Sequence, residues 1–560
     1  MQDILAIYKL WKSKAKEDPD VVKELEEIEG NQDKIEDAFY RELEFGTGGL
    51  RGVLGAGTNR MNIYVIRKAT QGFANYLNKH FKNPSVAISY DSRIKSDLFA
   101  KTAAEVFAGN DIKVHIYKEL MPTPNLSYAV RELKCSGGIM VTASHNPSKY
   151  NGYKVYGSDG CQITTEAAKA ILEEIDKINP FGDVQYCDFD IALEAKLISY
   201  IDDELLERFI ARVEQESVLF GDEINKDLNI IYSPLNGTGL KPVTKILKKN
   251  GYNVFVVPEQ ERPDGHFPTC PYPNPEIREA MELGIKYAQK QNADLFIATD
   301  PDCDRVGTAI KDNKTGEYVL ITGNQMGILL LDYICSQRIK HNKMPKNPVA
   351  VKTIVTSDMA LPIAKKYGVE IKEVLTGFKY IGEQILFLEQ KHEENRYIFG
   401  FEESYGYLSG SYVRDKDAVN GVFLIAEMFT YYKTRGVSLL EKLDELYKEY
   451  GYYSAYLNSF AFEGSVGAKK MSEIVEKFRQ GKVNFEGYHI DNVIDYAKGV
   501  NGLPKSNVVK INFKEGHSIV VRPSGTEPKI KIYFSITGNS LEENKKVYDS
   551  LLEIINKEVQ

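Results

Sequence analysis

Residues 293–310 read ADLFIATDPDCDRVGTAI. An apolar run ends on Asp300, Asp302 and Asp304, three carboxylates at every second position. The run is the length of a buried strand, and its polar end marks the start of a loop. In an extended chain alternate residues face one side, so the three carboxylates converge. Three like charges at one point repel and call for a cation. A ligand set of oxygens alone favours a hard ion, Mg²⁺ before others. The calcium-loop pattern does not fit: it needs Gly at the sixth place and Glu at the twelfth, where this chain has Arg305 and Lys311. A solvated acidic turn fits less well, because the preceding strand is apolar and Pro301 stiffens the loop.

The same alternation of strand and helix extends outward in both directions. LNIIYSPLNG (228–237), KPVTKILKKNG (241–251) and YNVFVVPEQ (252–260) precede it; NPVAVKTIVTS (347–357), MALPIAKKYG (359–368) and IKEVLTG (371–377) follow. Further upstream, VAISYD, KVHIYK and GIMVTAS read as strands, with SDLFAKTAAEVFAGN a helix between them. Strand, helix, strand at this spacing predicts α/β units with parallel-type crossovers, here in three successive blocks. The first 45 residues read as amphipathic cover helices, with Ile4, Ile7, Tyr8 and Trp11 at helical spacing. The last stretch differs. SIVVRPSGTEPKIKIYFSITG (518–538) holds two alternating strands around a turn, and SLEENKKVYDSLLEIINKE (540–558) is a helix, so an α+β domain closes the chain. Divisions are expected near 200, 318 and 450, giving units 1–200, 201–318, 319–450 and 451–560.

Composition is that of a globular chain. Its 560 residues are 43% hydrophobic and 27% charged, enough for about three to five domains. The 71 basic and 79 acidic residues leave a net charge of −8, and no Lys/Arg-rich block stands out, which argues against nucleic acid as a partner. Six scattered cysteines form neither a CxxC pair nor a zinc spacing, a reduced intracellular pattern. Apolar positions near the N-terminus are interrupted by charges, unlike a signal peptide, and no apolar run approaches the ~20 residues of a membrane helix. A soluble, cytoplasmic protein without a membrane partner is expected.

Three further loops carry candidate chemistry, each where a strand ends, as ligand loops do in α/β sheets. GGIMVTASHNPSKYNGYKVYG (137–157) delivers Ser144, a candidate nucleophile with His145 beside it. Lys154 returns after a turn expected at Asn151-Gly152. Alone, this loop reads more simply as polar groups satisfying backbone. YIFGFEESYGYLSGSYVRDKDAV (397–419) places Glu402, Glu403 and Ser404 near Arg414 and Lys416. These suit sugar hydroxyls, or a capping cluster before a helix beginning near Asp417. VVRPSGTEPKIKIYF (520–534) sets Arg522, Ser524, Gly525 and Thr526 in a turn that describes a phosphate cradle or an incidentally polar hairpin. A metal, a nucleophilic serine, sugar contacts and a phosphate cradle together suit phosphoryl transfer on a phosphosugar.

TASHNPSKYNGYK, DPDCDR, GFEESYGY and RPSGTEPK, in that order, resemble the four active-site loops of the α-D-phosphohexomutase superfamily. EFGTGGLRGVLGAGTNRMN (44–62), LTGFKYIGE (375–383) and the N-terminal extension resemble the branch that groups with phosphopentomutase-type proteins. The resemblance covers nearly the whole chain. It implies three α/β domains of one topology and a fourth, TATA-box-binding-protein-like α+β domain, meeting at a central cleft. It implies phosphoserine at Ser144, and Mg²⁺ on Asp300, Asp302, Asp304 and a phosphoserine oxygen, with Arg305 alongside. Arg51 and Lys154 fall at its proton-transfer positions. Glu402 and Ser404 would hold sugar hydroxyls, Thr376 and Lys416 would contact substrate, and Arg522, Ser524, Gly525 and Thr526 would hold the ester phosphate. The implied reaction interconverts glucose 1-phosphate and glucose 6-phosphate through a glucose 1,6-bisphosphate intermediate, which also serves as activator. A monomer or dimer acting on a small phosphosugar is expected. The alternatives are a phosphopentomutase or phosphomannomutase, a glucose 1,6-bisphosphate synthase, and a binding protein without turnover. Cys303 stands where many relatives have Gly or Ala, and its side chain is expected to point away from the carboxylates.

Overall fold

The computed structural model of the chain describes residues 4–46, 48–462, 464–500, 502–523 and 529–559, with backbone alone at 464–466 and 468. Four sheets account for its strands. The first holds β1 (Gly49–Val53), β2 (Ser85–Tyr90), β3 (Lys113–Tyr117), β4 (Gly137–Val141), β5 (Tyr150–Gly157) and β6 (Ile198–Ile201), in the order β1-β5-β4-β2-β3-β6. The second holds β7 (Asn229–Ser233), β8 (Asn253–Val256), β9 (Leu295–Thr299), β10 (Val306–Lys311) and β11 (Tyr318–Ile321), ordered β11-β10-β9-β7-β8. The third holds β12 (Val349–Thr353), β13 (Glu370–Val374), β14 (Tyr397–Phe401) and β15 (Tyr407–Leu408), ordered β13-β12-β14-β15. The last is antiparallel: β16 (Tyr452–Ala461), β17 (Ile490–Asp495), β18 (Val509–Phe513), β19 (Ser518–Pro523) and β20 (Lys529–Gly538), ordered β16-β20-β19-β18-β17.

A common unit lies inside the first three sheets. Three parallel strands run in the spatial order third, first, second, and a fourth turns back antiparallel on the third: β2, β3, β4, β5; then β7, β8, β9, β10; then β12, β13, β14, β15. The parallel-type crossovers expected from sequence spacing are present, and an antiparallel return strand makes each sheet mixed. The fourth strand needs only a short loop to return, and a short loop carries no helical pattern to announce it. β11 pairs with β10 from Thr308 to Lys311, so the second sheet runs to Ile321, past the division expected at 318. The expected turn at Asn151-Gly152 is absent. Both residues lie within β5, where the Asn151 amide donates to Ile94 O and Ser96 Oγ, each at 3.0 Å. Gly152 is required there, because a Cβ would stand 2.4 Å from Thr142 O.

Helices Ile4–Lys14, Pro19–Glu27 and Gln32–Phe39 strap the first sheet. Their apolar spacing buries Trp11 against Phe39, Tyr64 and Phe181, with ring centroids 5.4–5.7 Å apart. Arg67 grips Glu17 with two bonds of 2.8 and 2.7 Å. Glu24 accepts from Ala56 N at 2.8 Å, and Lys95 holds Asp18 at 2.9 Å. The strap thus fixes both the β1 segment and the 91–96 turn, which border the site. Among the described residues no helix is long and apolar enough to cross a membrane.

Trp11 is the chain's one tryptophan, so its fluorescence reports the strap. Phe39→Ala removes a buried ring from its side and is expected to cost about 3–5 kcal/mol. A urea titration followed by tryptophan emission checks this.

Candidate active site

Each common unit contributes the loop between its third and fourth strands: residues 142–149, 300–305 and 402–406. Each loop contains one non-glycine residue in the left-handed region, Ser144 (φ 51°), Cys303 (φ 52°) and Tyr405 (φ 66°). That conformation costs an L-residue energy and persists where the surroundings fix it. Here it reverses the chain into the antiparallel fourth strand.

Ser144 is fixed from behind. Its N–H donates to Thr142 Oγ1 at 2.8 Å, and Thr142 donates in turn to the buried Asp91 at 2.6 Å. Arg93 gathers the loop's carbonyls: Ser144 O at 2.6 Å, Pro147 O at 3.0 Å, Tyr150 O at 3.1 Å, and Asn146 O. The Ser144 hydroxyl then points forward, donating to Asp300 Oδ2 at 2.9 Å and lying 3.1 Å from His145 Nδ1. Burial, with the Arg305 and Arg51 cations nearby, drives the His145 pKa well below its ordinary value, so the imidazole is neutral near pH 7.

The three aspartates form a buried cluster whose ligand oxygens lie within 4.8 Å of one another. Asp300 Oδ1 accepts from Asp304 N and Arg305 N, each at 3.0 Å. Asp302 Oδ2 accepts from Thr123 Oγ1 at 2.9 Å and Lys154 Nζ at 2.7 Å. Lys416 Nζ stands 3.1 Å from Asp304 Oδ2. Burial and its two neighbours push the Asp300 carboxyl well up. Burial also works against the Asp302 anion, but the Lys154 ammonium outweighs it and holds that carboxyl down. Asp302 Oδ1 and Asp304 Oδ1 are buried without a hydrogen-bond partner. Buried carboxylate oxygens left bare are costly, and these two face a set of hard oxygen donors. The set fits a divalent cation. The Cys303 thiol packs behind the loop, where a Cβ on Gly239 would meet it beside Tyr232 and Thr299, and burial pushes its pKa well up. It is not among the ligand atoms.

Lys154, Arg305 and Lys416 are ion-paired to this cluster. Lys154 arrives on β5, with Arg51 one strand away on β1, donating to Asn146 Oδ1 at 3.4 Å. Glu402 Oε1 accepts from Gly377 N at 2.9 Å, and Ser404 lies 3.5 Å from its other oxygen. The neighbouring Thr376 Oγ1 is buried without a hydrogen-bond partner. Burial, opposed by Lys416, pushes the Glu402 carboxyl up to about 7. Arg522 is the last residue but one of β19, beside Tyr533 of β20, which shares an apolar cluster with Ile354, Val355 and Leu375 of the third unit. Ser524, Gly525 and Thr526 lie outside the described residues.

Bonds across units hold the loops in register: Thr123 N to Asp302 O at 2.9 Å, Val306 N to Tyr405 O at 3.0 Å, and Ala418 N to Cys303 O at 3.3 Å. Sequence reasoning missed Thr123, Asp91, Arg93 and Glu276, the ion-pair partner of Arg305. No motif marks them, since each acts through a partner distant in the chain.

Phosphoglucomutase/phosphomannomutase family models match in order: alpha/beta/alpha domain I over residues 42–180, domain II over 207–315, domain III over 322–450, and the C-terminal domain over 468–553. The chain belongs to this family. It is similar to proteins named phosphoglucomutase. One, from Staphylococcus saprophyticus, is 36% identical over 525 residues, 91% of this chain and 94% of that one. Another, from Staphylococcus aureus strain USA300, is 37% identical over 546 residues, 94% and 95% of the two chains. In fold it resembles the open form of the Paramecium phosphoglucomutase pp63/parafusin, with TM-score 0.71 and 20% identity over 92% of this chain and 95% of that one. It also resembles a phosphomannomutase-like structure from Thermus thermophilus, with TM-score 0.68 and 21% identity over 92% and 99%.

Two measurements test the site. A divalent cation at a hundred-fold excess over its Kd should stabilise the fold by about 2.7 kcal/mol, and Asp302→Asn should abolish the shift in a thermal melt. Glu402, raised from 4.5 to about 7, contributes stability that is full below pH 4.5 and lost as pH rises through 7. Glu402→Gln should therefore flatten the decline in denaturant stability across that window.

Proposed function

We propose that the chain is a phosphoglucomutase, interconverting glucose 1-phosphate and glucose 6-phosphate through a phosphoserine at Ser144 and a glucose 1,6-bisphosphate intermediate. The observation that carries this reading is the Ser144 hydroxyl, 2.9 Å from Asp300 at the edge of the aspartate cluster. A pure binder has no need of a nucleophile there.

Asp300, Asp302 and Asp304 would hold Mg²⁺, which when bound neutralises charge on the phosphoryl oxygens. The chain's own residues do the rest. Arg522, with Ser524, Gly525 and Thr526, grips the ester phosphate, while Glu402, Ser404 and Thr376 take the sugar. The Ser144 Oγ–P bond breaks as a sugar hydroxyl oxygen bonds to phosphorus. The hydroxyl's proton passes to Ser144 Oγ through Lys154 and Arg51. Lys154 enters the relay protonated, because burial opposes its charge but Asp302 and Asp304 maintain it and raise its pKa; it can give a proton to Ser144 Oγ only as it takes one from the sugar hydroxyl. His145 stays neutral beside Ser144, and Lys416 balances Asp304 and Asp415. The bisphosphate then turns over and returns its other phosphate to Ser144. Glucose 1,6-bisphosphate would act as activator by rephosphorylating enzyme that has lost its phosphate. The chain divides into units near 200, 318 and 450, in a cytoplasmic protein.

Intact-mass measurement should find one labile phosphate on the protein and none on Ser144→Ala, which should also lose nearly all turnover. Turnover near normal would reject Ser144 as the carrier. Arg522→Ala removes a two-pronged phosphate contact of about 2–3 kcal/mol and should raise KM roughly 30- to 150-fold. Rates on glucose, mannose and ribose 1-phosphates, each with a trace of its bisphosphate, identify the preferred sugar.

A further inference from the structure

Arg305 follows the last aspartate of the cluster and closes its loop, just before β10. Its Nη1 donates to Glu276, its Nε is buried without a hydrogen-bond partner, and that same Nε stands only 3.7 Å from the bare Asp304 Oδ1. The guanidinium is therefore placed between two claims. On one side is Glu276; on the other is a carboxylate oxygen that the cation also needs. A small rotation would bring Arg305 onto Asp304 as a two-pronged pair, the strongest arrangement open to an arginine and a carboxylate.

Glu276 is built to prevent that rotation. It ends the segment Pro271–Glu276, in which Pro271, Pro273 and Pro275 alternate with Tyr272 and Asn274 and stiffen the backbone. Its N–H donates to Asn274 Oδ1 at 3.1 Å, and Ile277 N to Asn274 O at 3.0 Å. The segment lies directly on β10, which Gly307 permits: a Cβ there would stand 2.6 Å from Pro275 O. A rigid carboxylate is thus seated two residues along the strand from the arginine it holds.

We propose that Glu276 is a positioning residue that draws the Arg305 guanidinium clear of Asp304, leaving the aspartates for the cation and the other Arg305 N–H groups for the phosphoryl group in transfer. The inference deepens the mutase reading and rests on it for its second half. Its first half concerns cation affinity alone.

Mg²⁺ titration calorimetry and steady-state kinetics on glucose 1-phosphate test it in the full-length protein. Glu276→Ala should weaken Mg²⁺ binding about ten-fold and lower kcat at least about ten-fold, with KM within about three-fold. Glu276→Gln, which keeps the shape and loses the charge, should fall between and serves if Glu276→Ala fails to fold. In an Arg305→Met background, Glu276→Ala should change Mg²⁺ affinity less than about two-fold, because the guanidinium that Glu276 holds away from Asp304 Oδ1 is gone. Unchanged Mg²⁺ affinity in the single variant would overturn the proposal. So would an equal loss with or without Arg305, which a purely structural role would give. A wild-type protein without mutase turnover would reject the proposed function, while the Mg²⁺ measurements would still decide on Glu276.

Discussion

Three carboxylates buried at one point are the constraint around which the molecule is organised. Left alone, they would protonate or force the chain apart. Two lysines and an arginine offset them: Lys154 comes from the first sheet, Lys416 from the third unit, and Arg305, next in the chain to Asp304, stands 3.7 Å from it while bonded to Glu276. Even so, two carboxylate oxygens lack a hydrogen-bond partner. The oxygens of the three aspartates suit the cluster to a divalent cation.

The repeated unit explains how three loops reach one place. A parallel strand, then a left-handed residue, then an immediate antiparallel return puts a short, stiff loop at the same edge of each sheet. Hydrogen bonds between loops of different units then set their mutual register. Because each loop is braced by buried strands, the Ser144 hydroxyl is directed at Asp300 without a hinge of its own. This is the preorganisation that phosphoryl transfer depends on, where positioning and charge do most of the work.

The N-terminal strap belongs to the same logic. It touches no aspartate, yet Glu24 and Asp18 hold the β1 segment and the 91–96 turn, and that turn carries Asp91 and Arg93, which fix the Ser144 loop. Cys303 lies in the aspartate loop without joining its carboxylates. Its backbone takes the left-handed turn, and its buried thiol stands beside Tyr232 and Thr299.

The sequence by itself determined the local pieces. Apolar runs ending in Asp300, Glu402 and Ser144 marked strands with polar loops, and alternation of Asp300, Asp302 and Asp304 set three carboxylates on one side, because extended chain has a period of two. It did not determine the antiparallel return strands or the true course of Asn151-Gly152. There, Asn151 binds Ile94 and Ser96, more than fifty residues earlier, and a local turn signal yields to a distant partner. Glu276 and Thr123 were invisible for the same reason. Hydrogen bonds and ion pairs between residues far apart in the chain leave no periodicity behind, so only the tertiary structure could decide which charges meet.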